Sequence, residues 1–372
     1  MRKKVIFVIP NLADGGNERA MVTLFNHLDR TTFDPFFISF QANGPNLQYI
    51  NSPERVVNLG VSRVRYGLPR LVREIRKFNP HAVLSTLGYL NIALILTRPF
   101  LPRGTKLLVR EGTIPSVQLG QGVSYSRLWK WLYRKSYVKA DTIICQSDYM
   151  LNDLADHFAV PREKMVRIYN PVDFGKIRQL AEADRNPYAG VGPHLVAVGR
   201  LSSEKGYDLL LDAMALVHEA LPHAQLTILG TGPLEAALRA QQGSLGLAEV
   251  VRFVGFAPNP YPYFRHADLF VLSSHYEGFP NALLEALTLG TRVVATDCPG
   301  GVREILRGCS GYKLVNRGDP PLLADAILQV LMENGHHAPR VEKPCPLSEF
   351  DIPCIMAQYE ALFQKVIDAC PA

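Results

Sequence analysis

Short apolar runs alternate with segments of helical spacing along almost the whole chain. The runs in the first half are VIFVI, FFISF, AVLST, KLLVR and TIICQS, and those in the second half are LVAVG, QLTILG, VRFVG, DLFVLSS and RVVATD. Strand–helix alternation of this kind gives parallel sheets that helices cover on both faces. The pattern therefore predicts an α/β chain that contains two copies of one architecture.

The segment VRIYNPVDFGKI separates the two copies. Its Asn170-Pro171 pair interrupts any helix, because a residue before proline is pushed to extended geometry. We expect one domain over residues 1–170, a second over 171–348, and a helix over 349–372 that bridges them. Such sheets bind ligands beyond the carboxyl ends of their strands. Two facing domains would then enclose a cleft with one substrate on each wall.

Length and composition agree with two domains. The 372 residues, 47% of them hydrophobic and 20% charged, exceed the size at which a single core keeps growing. The opening MRKKVIFVIPNL leads into Ala-Asp-Gly-Gly rather than a cleavage site, so it predicts a first strand and not a signal peptide. The longest apolar stretch, residues 82–96, is shorter than the ~20 residues of a membrane-spanning helix. No such helix is expected.

Cysteine spacing and charge narrow the class of protein further. Six cysteines lie far apart without a C-x-x-C pair, which predicts neither a zinc site nor a disulfide framework and favours a reduced, cytoplasmic chain. Neither half has a G-x-G-x-x-G after its first strand, which argues against a dinucleotide cofactor. Residues 1–175 hold 24 Lys and Arg against 13 Asp and Glu (+11), while the remainder holds 16 against 21 (−5), so the halves differ in electrostatic role.

The stretch EGFPNALLE, residues 277–285, sets two glutamates around a turn and the start of an apolar helix. Pro280 suits a first helical position, so Asn281 and Glu285 share a face near an end with free amides. Those amides attract phosphate. Two carboxylates would repel it, unless they accept hydrogen bonds from uncharged hydroxyls such as those of a ribose diol and a hexose.

The charge of a phosphate must be met by cations, and the loop after the first strand of the second half supplies them. Within VAVGRLSSEKGYDLLLDAM, Arg200 and Lys205 lie five positions apart between a strand and a helix. Together with the two glutamates they predict a site for a nucleotide diphosphosugar.

The order of these motifs resembles the retaining glycosyltransferases of family 4, which consist of two Rossmann-like domains in the GT-B arrangement. The most specific part runs over residues 194–307 and contains VGRL..EKG, LGTGP, VRFVGF, ADLFVLSS and EGFPNALLEAL..G, the last being the family's Glu-x7-Glu signature. NPVD at 170–173 and GGNER at 15–19 extend the resemblance over most of the chain.

The resemblance implies a role for each residue of the donor site. Glu277 would contact the donor hexose, Glu285 the ribose, and Arg200 and Lys205 the diphosphate. The remaining donor-site candidates are Gly278, Phe279, Pro280, Asn281 and Gly230, with Phe253, Val254 and Gly255 at the base edge. The resemblance also implies catalysis without a bound metal, which fits the lack of an Asp-x-Asp pair and leaves cationic side chains and helix amides to stabilise the departing diphosphate. No cofactor is expected besides the donor substrate itself.

The first half carries the expected acceptor side. Gly15-Gly16 follows the first strand and precedes a helix, so the backbone there can approach a ligand closely. Many members of the family have a histidine near the cleft after a middle strand of this domain, whereas this chain has KLLVREGTIPS with Arg110 and Glu111. Glu111 is therefore the polar catalytic candidate. Ser85, Thr86 and Asn91 either line the same wall or cap a helix.

Two basic segments of the first half, SRLWKWLYRKSYVKAD and RVRYGLPRLVREIRKF, alternate cations with aromatic and apolar residues. Cations favour an anionic leaflet, and tryptophan and tyrosine favour its headgroup region, so a membrane surface is a candidate partner. The alternative is that Trp129 and Leu132 pack into the core while the charges are solvated. No nucleic-acid-binding motif accompanies the charge, so nucleic acid is not expected as a partner.

The sequence thus predicts a retaining hexosyltransferase that uses a nucleotide diphosphosugar, in the first place a UDP-sugar. The acceptor would be a glycan or a polyprenyl-diphosphate-linked saccharide in the assembly of bacterial surface polysaccharide or lipopolysaccharide, on the inner face of the cell membrane. Two rivals within enzymes are a nucleotide-sugar epimerase and a phosphorylase on the same plan. A third is a catalytically silent protein that binds nucleotide sugar, against which the complete set of charged site residues argues.

Overall fold

The computed structural model describes residues 2–13, 15–122, 125–182, 185–190, 192–332 and 345–369. The chain divides into two compact units. One contains residues 1–171 together with 350–372, and the other contains residues 172–349. The chain therefore leaves the first unit after Pro171 and returns to it at Phe350.

The first unit is built on a seven-stranded sheet in the order β3-β2-β1-β4-β5-β6-β7. All of its strand pairings are parallel. The strands are β1 (Lys3–Asn11), β2 (Phe33–Gln41), β3 (Val56–Asn58), β4 (Ala82–Thr86), β5 (Lys106–Arg110), β6 (Thr142–Cys145) and β7 (Met165–Arg167). Apolar residues fill both faces of the central strands, as a parallel sheet between helices requires.

In the part of the first unit that the structure describes, six α-helices lie between these strands. They are α1 (Gly16–His27), α2 (Val64–Phe78), α3 (Gly88–Leu96), α4 (Pro115–Gly120), α5 (Ser126–Ser136) and α6 (Asp148–Phe158). Local chemistry sets two of their ends. The Ser147 hydroxyl accepts a hydrogen bond from the Met150 amide at the start of α6, and Asn79 ends α2 in the left-handed conformation, with φ 47°.

The second unit repeats the plan with a six-stranded parallel sheet in the order β10-β9-β8-β11-β12-β13. Its elements are α7 (Phe174–Glu182), β8 (His194–Val198), α8 (Tyr207–Ala220), β9 (Gln225–Leu229), α9 (Glu235–Ser244), β10 (Val251–Gly255), α10 (Tyr261–His266), β11 (Leu269–Leu272), α11 (Asn281–Thr288), β12 (Val293–Asp297), α12 (Val302–Ile305), β13 (Tyr312–Asn316) and α13 (Pro320–Met332). The order reverses between β8 and β11, where sheets of this kind bind ligands.

The C-terminal helix α14 (Ile352–Asp368) completes the first unit. The Asp351 carboxylate accepts a hydrogen bond from the Ile352 amide at its start, over 2.9 Å. Phe363 then packs its ring against those of Phe7 and Phe33, with centroid distances of 6.4 and 5.9 Å. In the part of the chain that the structure describes, no helix is long and apolar enough to cross a membrane.

One pair of cysteines differs from the expectation of a fully reduced chain. Cys309 and Cys345 form a disulfide in the second unit, with their Cα atoms 4.4 Å apart. The two are 36 positions apart in sequence, so spacing gave no sign of the pairing and only the fold brings them together. Cys145 and Cys298 are buried and free, and Cys354 is exposed and free.

Candidate active site

The predicted donor-site residues gather at one edge of the second sheet. Arg200 and Lys205 follow β8, Gly230 follows β9, Gly255 ends β10, and residues 277–281 lie between β11 and α11. Because these strands are parallel, their carboxyl ends meet at the same edge. The sheet therefore brings together segments that are up to about 80 positions apart in the sequence.

Lys205 and Glu277 form an ion pair at this edge. The Lys205 Nζ lies 2.7 Å from Glu277 Oε1, and the side chains are 21% and 8% exposed. Ser274 donates a hydrogen bond to the same carboxylate oxygen over 2.7 Å, and Ser273 donates one to the Lys205 carbonyl over 2.9 Å. A partly buried pair is screened less by water than a surface pair. The loops after β8 and β11 are thus locked together.

Two glycines allow the loops to approach this closely. Gly206 has φ +58°, and a Cβ there would lie 2.3 Å from the Ser273 carbonyl oxygen. Gly300 has φ +126°, and its Cβ would lie 1.6 Å from the Glu277 carbonyl oxygen. Left-handed geometry and the missing side chain make glycine the fitting residue at both positions. Sequence reasoning missed Gly300 and Ser274, although the Pro-Gly-Gly at 299–301 was a signal for a tight turn.

Helix α11 begins directly after Pro280 and carries Asn281 in its first turn. Glu285, one turn further, is only 6% exposed, and Glu277 is 7% exposed. Phe279 is buried with its ring against Gly301, where a Cβ would come within 2.5 Å of the ring. The motif therefore places two buried carboxylates beside a helix start that has no side-chain cap.

Arg200 differs from Lys205 in being exposed. Among the described residues, none forms a hydrogen bond or ion pair with its guanidinium, whereas neighbouring Leu201 is fully buried and anchors the loop. The backbone of Arg200 is fixed by this anchor, and its guanidinium can bind an anion without first breaking an ion pair within the protein.

The loops after β9 and β10 complete the edge. Gly230 has φ +134°, its amide donates to the Gly255 carbonyl over 2.8 Å, and a Cβ on it would lie 1.9 Å from the Gly199 carbonyl oxygen. The ring of Phe253 packs against the core and under the Arg239 guanidinium at 5.0 Å, and Val254 is half-buried. Any contact of this segment with a base edge would therefore involve the backbone rather than the phenyl ring.

Tyr207 is a neighbour of the ion pair that sequence reasoning did not single out. It is 4% exposed, and burial, followed by the nearby Glu277 carboxylate, raises the pKa of its hydroxyl. A Cβ on Gly199 would lie 2.9 Å from that hydroxyl and 3.2 Å from the Lys205 side chain. Tyr207 thus remains a neutral group beside the stem of Lys205.

The glycine pair of the first unit precedes α1. Gly15 is the residue before the helix, with φ −68° and ψ 153°, so it does not need left-handed geometry. A Cβ there would lie 2.2 Å from Glu18 Oε2, and the space for that carboxylate is the reason for a glycine. Gly16 is exposed and opens the helix, which has no side-chain cap.

The structure places Glu111 in the interior of the first unit rather than on a surface. It has no exposed area, and its Oε1 accepts hydrogen bonds from the Tyr137 hydroxyl and from Asn91 Nδ2, the latter over 3.2 Å. Burial raises the pKa of this carboxyl to about 8. Ser85 and Asn91, which bond each other over 2.7 Å, belong to the same buried network and do not line an exposed wall.

Arg110, the residue before Glu111, makes contacts that sequence reasoning missed. The guanidinium is fully buried and donates to Asn17 over 3.1 Å, to Thr86 over 3.3 Å and to Asn170. All three acceptors are uncharged. The side chain ties the first turn of α1 to Asn170, the residue that precedes Pro171, where the chain leaves the first unit.

Residues suited to a metal ion are not grouped in the described part of the chain. No cluster there contains three or more histidine, cysteine, aspartate or glutamate side chains in a position to share an ion. At the second sheet's edge the groups available to an anion are Arg200, Lys205 and the first amides of α11.

Comparison with known proteins identifies the family of this chain. Residues 14–176 match the family described as Glycosyltransferase Family 4, and residues 192–333 match Glycosyl transferases group 1. A Campylobacter jejuni relative, N-acetylgalactosamine-N,N'-diacetylbacillosaminyl-diphospho-undecaprenol 4-alpha-N-acetylgalactosaminyltransferase, is 31% identical over 82% of this chain and 83% of its own length. A glycosyltransferase of Methanocaldococcus jannaschii is 31% identical over 68% of this chain, which spans 64% of that relative.

Solved structures share the fold at lower identity. The structure of Anabaena HepE in complex with UDP-glucose superposes with a TM-score of 0.78 at 19% identity, over 97% of this chain and 99% of HepE. Sucrose-phosphate synthase from Thermosynechococcus elongatus gives a TM-score of 0.79 at 18% identity, over 99% of this chain and 100% of the synthase. The expectation of two Rossmann-like domains of the GT-B type is thereby confirmed.

Proposed function

Because this chain belongs to the family 4 glycosyltransferases of the GT-B fold, we propose that it transfers a hexose from a UDP-sugar, with retention of configuration, to a lipid-linked saccharide. The observation that carries the proposal is the partly buried Lys205–Glu277 pair beside the start of α11. A cation and the first amides of a helix suit a diphosphate, and a buried carboxylate suits the hydroxyls of a sugar, so this edge of the sheet fits a nucleotide diphosphosugar.

Each charged residue has a separate task in this scheme. Glu285 accepts hydrogen bonds from the ribose hydroxyls, and Glu277 accepts them from the hexose. Arg200 and Lys205 contact the diphosphate and stabilise the negative charge that grows on it as the glycosidic bond breaks. Ser274 holds the Glu277 carboxylate in place, because it donates to the oxygen that also contacts Lys205.

In this scheme the anomeric configuration is retained because the acceptor oxygen attacks the anomeric carbon on the same face from which the diphosphate leaves. The acceptor oxygen forms a bond to the anomeric carbon as the bond from that carbon to the phosphate oxygen breaks, and the departing phosphate oxygen accepts the acceptor's proton. No protein nucleophile is needed. The protein's cations take the role that a divalent metal has in other sugar transfers, so we propose that the chemical step is metal-independent.

The names of the relatives support the choice of substrates. The Campylobacter relative's name describes an acceptor on diphospho-undecaprenol, and a Rhizobium meliloti relative, 31% identical over 56% of this chain, is a lipopolysaccharide core biosynthesis glycosyltransferase. UDP-glucose is the ligand of the Anabaena structure. We therefore place the reaction in surface-polysaccharide assembly, with the acceptor presented at the inner face of the cell membrane.

Product analysis tests the proposal. The purified protein is incubated with a panel of UDP-sugars, with and without polyprenyl-diphosphate-linked saccharides, and the products are identified by mass spectrometry and by the anomeric proton coupling in NMR. We expect acceptor-dependent transfer with the donor's anomeric configuration. An altered donor without acceptor would identify an epimerase, and donor binding with neither transfer nor hydrolysis would identify a silent binding protein.

A further inference from the structure

Helix α5 has apolar side chains that pack against the core and others that are exposed. Trp129 and Leu132 pack against the core of the first unit, as the alternative of a core-facing helix predicted. Leu128 and Trp131 point outward and are 53% and 54% exposed. Residues two positions apart lie on nearly opposite sides of a helix, so the two tryptophans face different surroundings. The outer pair contributes little to the core and calls for another explanation.

Cations surround this outer pair. Arg127, Lys130, Arg134 and Lys135 are all exposed, and α5 contains no acidic residue. Arg134 donates to the His157 carbonyl over 3.2 Å, and none of the acidic side chains that the structure describes forms an ion pair with it. We call these four cations with Leu128 and Trp131 the α5 face. It combines exposed apolar area with an uncompensated positive charge.

The neighbouring elements extend the apolar part of the surface. Helix α3 packs against α5, and Leu96 at its end and Phe100 in the following turn are 53% and 62% exposed. Helix α2 also packs against α3, and it carries the exposed cations Arg73 and Arg76. Unlike α5, it has a single large exposed apolar side chain, that of Tyr66. The two basic segments of the sequence are therefore not equivalent.

We propose that the α5 face, with Leu96 and Phe100 beside it, is the surface that docks on an anionic lipid leaflet. Tryptophan beside lysine and arginine is the combination that favours the headgroup region. Each cation near such a leaflet strengthens partitioning about fivefold. A second copy of this chain would bring two sets of like charges together, which disfavours self-association through this face. The inference rests on the proposed function in one respect: docking on the leaflet would bring the enzyme to its lipid-linked acceptor.

The chain's only two tryptophans give the proposal a direct spectroscopic test. Trp129→Phe leaves the outward Trp131 as the reporter, and Trp131→Phe leaves the inward Trp129. On mixing with vesicles of phosphatidylcholine and phosphatidylglycerol, we expect a blue shift and quenching by brominated lipid in the Trp129→Phe protein, with little change in the Trp131→Phe protein. Equal shifts in both, or none in either, would overturn the proposal.

Flotation with the same vesicles measures how much each group contributes. We expect binding to be lost in phosphatidylcholine alone, at about 1 M salt, where the Debye length falls to ~3 Å, and in Lys130→Glu/Lys135→Glu. Arg73→Glu/Arg76→Glu on α2 makes the same change of charge and should weaken binding much less. Equal losses for the two pairs would show attraction by net charge rather than docking through α5, and the proposal would fail.

A matched pair of leucines tests the apolar contribution. Leu128→Ser should weaken vesicle binding several-fold, whereas Leu322→Ser on α13, where the leucine is 42% exposed, should leave it unchanged. If Leu128→Ser instead dissolves a dimer in light scattering and leaves vesicle binding intact, the occupant is a second copy and the membrane proposal is wrong.

These measurements need neither donor nor acceptor, so their failure is distinct from failure of the proposed function. A protein that transfers sugar to a soluble acceptor yet does not bind vesicles retains the function and loses the docking surface. A protein with intact vesicle binding and no transfer would show the reverse.

Discussion

A buried carboxylate that accepts hydrogen bonds from a ligand's hydroxyls should matter more for binding than an exposed one. Glu285 is 6% exposed at the site where we place the ribose. Glu285→Ala should weaken UDP binding by roughly 1.5–3 kcal/mol for each charge-assisted hydrogen bond that is lost. Isothermal titration calorimetry with UDP measures this change, and an affinity equal to the wild type's would remove Glu285 from the donor site.

Substitution of Arg200 or Lys205 should lower kcat more than it lowers the affinity for the donor. Charge on the diphosphate is larger in the transition state than in the bound donor, so a cation that stabilises it affects kcat more than donor affinity. We expect Arg200→Ala to lower kcat by at least ~100-fold, as loss of one oxyanion-stabilising group does, with a smaller change in the Kd for the donor. Equal losses in kcat and in donor affinity would mean that Arg200 holds only the ground state.

Lys205→Ala adds a second effect, because Lys205 also orients the Glu277 carboxylate over 2.7 Å. Its loss should therefore impair hexose selection as well as turnover, which Arg200→Ala should not do. Comparing relative rates with two UDP-hexoses for both variants makes this distinction.

Glu111, the catalytic candidate of the first half, lies in the interior of the first unit. Its pKa is raised to about 8 from 4.5 by burial, so the folded protein retains a proton that the unfolded chain loses. Its contribution to the free energy of unfolding is therefore largest below about pH 4.5, falls by up to ~1.4 kcal/mol per pH unit as the pH rises, and levels off above about 8. Glu111→Gln should remove that slope.

Urea denaturation of wild type and Glu111→Gln between these pH values checks the expectation, with UDP binding and transfer rate measured alongside. The two proteins should have similar stability near pH 5 and diverge towards pH 8, with transfer largely retained. A variant that binds UDP normally but transfers no sugar would instead restore the catalytic role that the sequence suggested for Glu111.

At the scale of elements, the donor site depends on loops that carry no catalytic side chain. A Cβ at Gly206 would meet the Ser273 carbonyl, so Gly206→Ala should push apart the loops that hold Lys205 and Glu277. Left-handed geometry alone costs an alanine about 1 kcal/mol. Gly246→Ala, at φ +71° with nothing within 4 Å, has the same cost without the clash and serves as the control.

Comparing the two glycine variants by thermal unfolding and by transfer rate separates strain from geometry. We expect both to lose a similar small amount of stability through backbone strain, with a further loss for Gly206→Ala. A displacement of about 1 Å at a reacting centre can lower the rate ~100-fold, so only Gly206→Ala should lose most of its activity. If the control loses as much activity, the loop spacing is not what matters.

Most of the elements could be predicted from sequence because buried parallel strands are continuous apolar runs. VIFVI and LVAVG are such runs, and they became β1 and β8. The approach of Lys205 to Glu277 was also predictable, since both follow strands of one sheet. The Ser274 and Gly300 contacts were not, because they depend on register between strands and on loop path. The burial of Arg110 and Glu111 depends on side chains from four other segments, which no local pattern indicates.

At the scale of the whole molecule, the mechanism that we propose gives the cations of the donor edge the role of a divalent metal. In the described residues no acidic cluster is suited to a divalent metal, and Arg200 and Lys205 lie where the diphosphate is expected. Transfer should therefore continue in the presence of EDTA at an unchanged rate. Activity that EDTA abolishes and added magnesium or manganese restores would contradict the metal-independent mechanism.

The return of the chain to its first unit has a consequence for synthesis. Phe363 packs on Phe7, so the core of the first unit lacks these packing contacts until the last turns of α14 have been translated. The second unit, residues 172–349, has all of its strands available earlier. On the ribosome, the unit made second can therefore finish folding before the unit made first, and a message truncated before α14 would yield a folded second unit joined to an incomplete first unit.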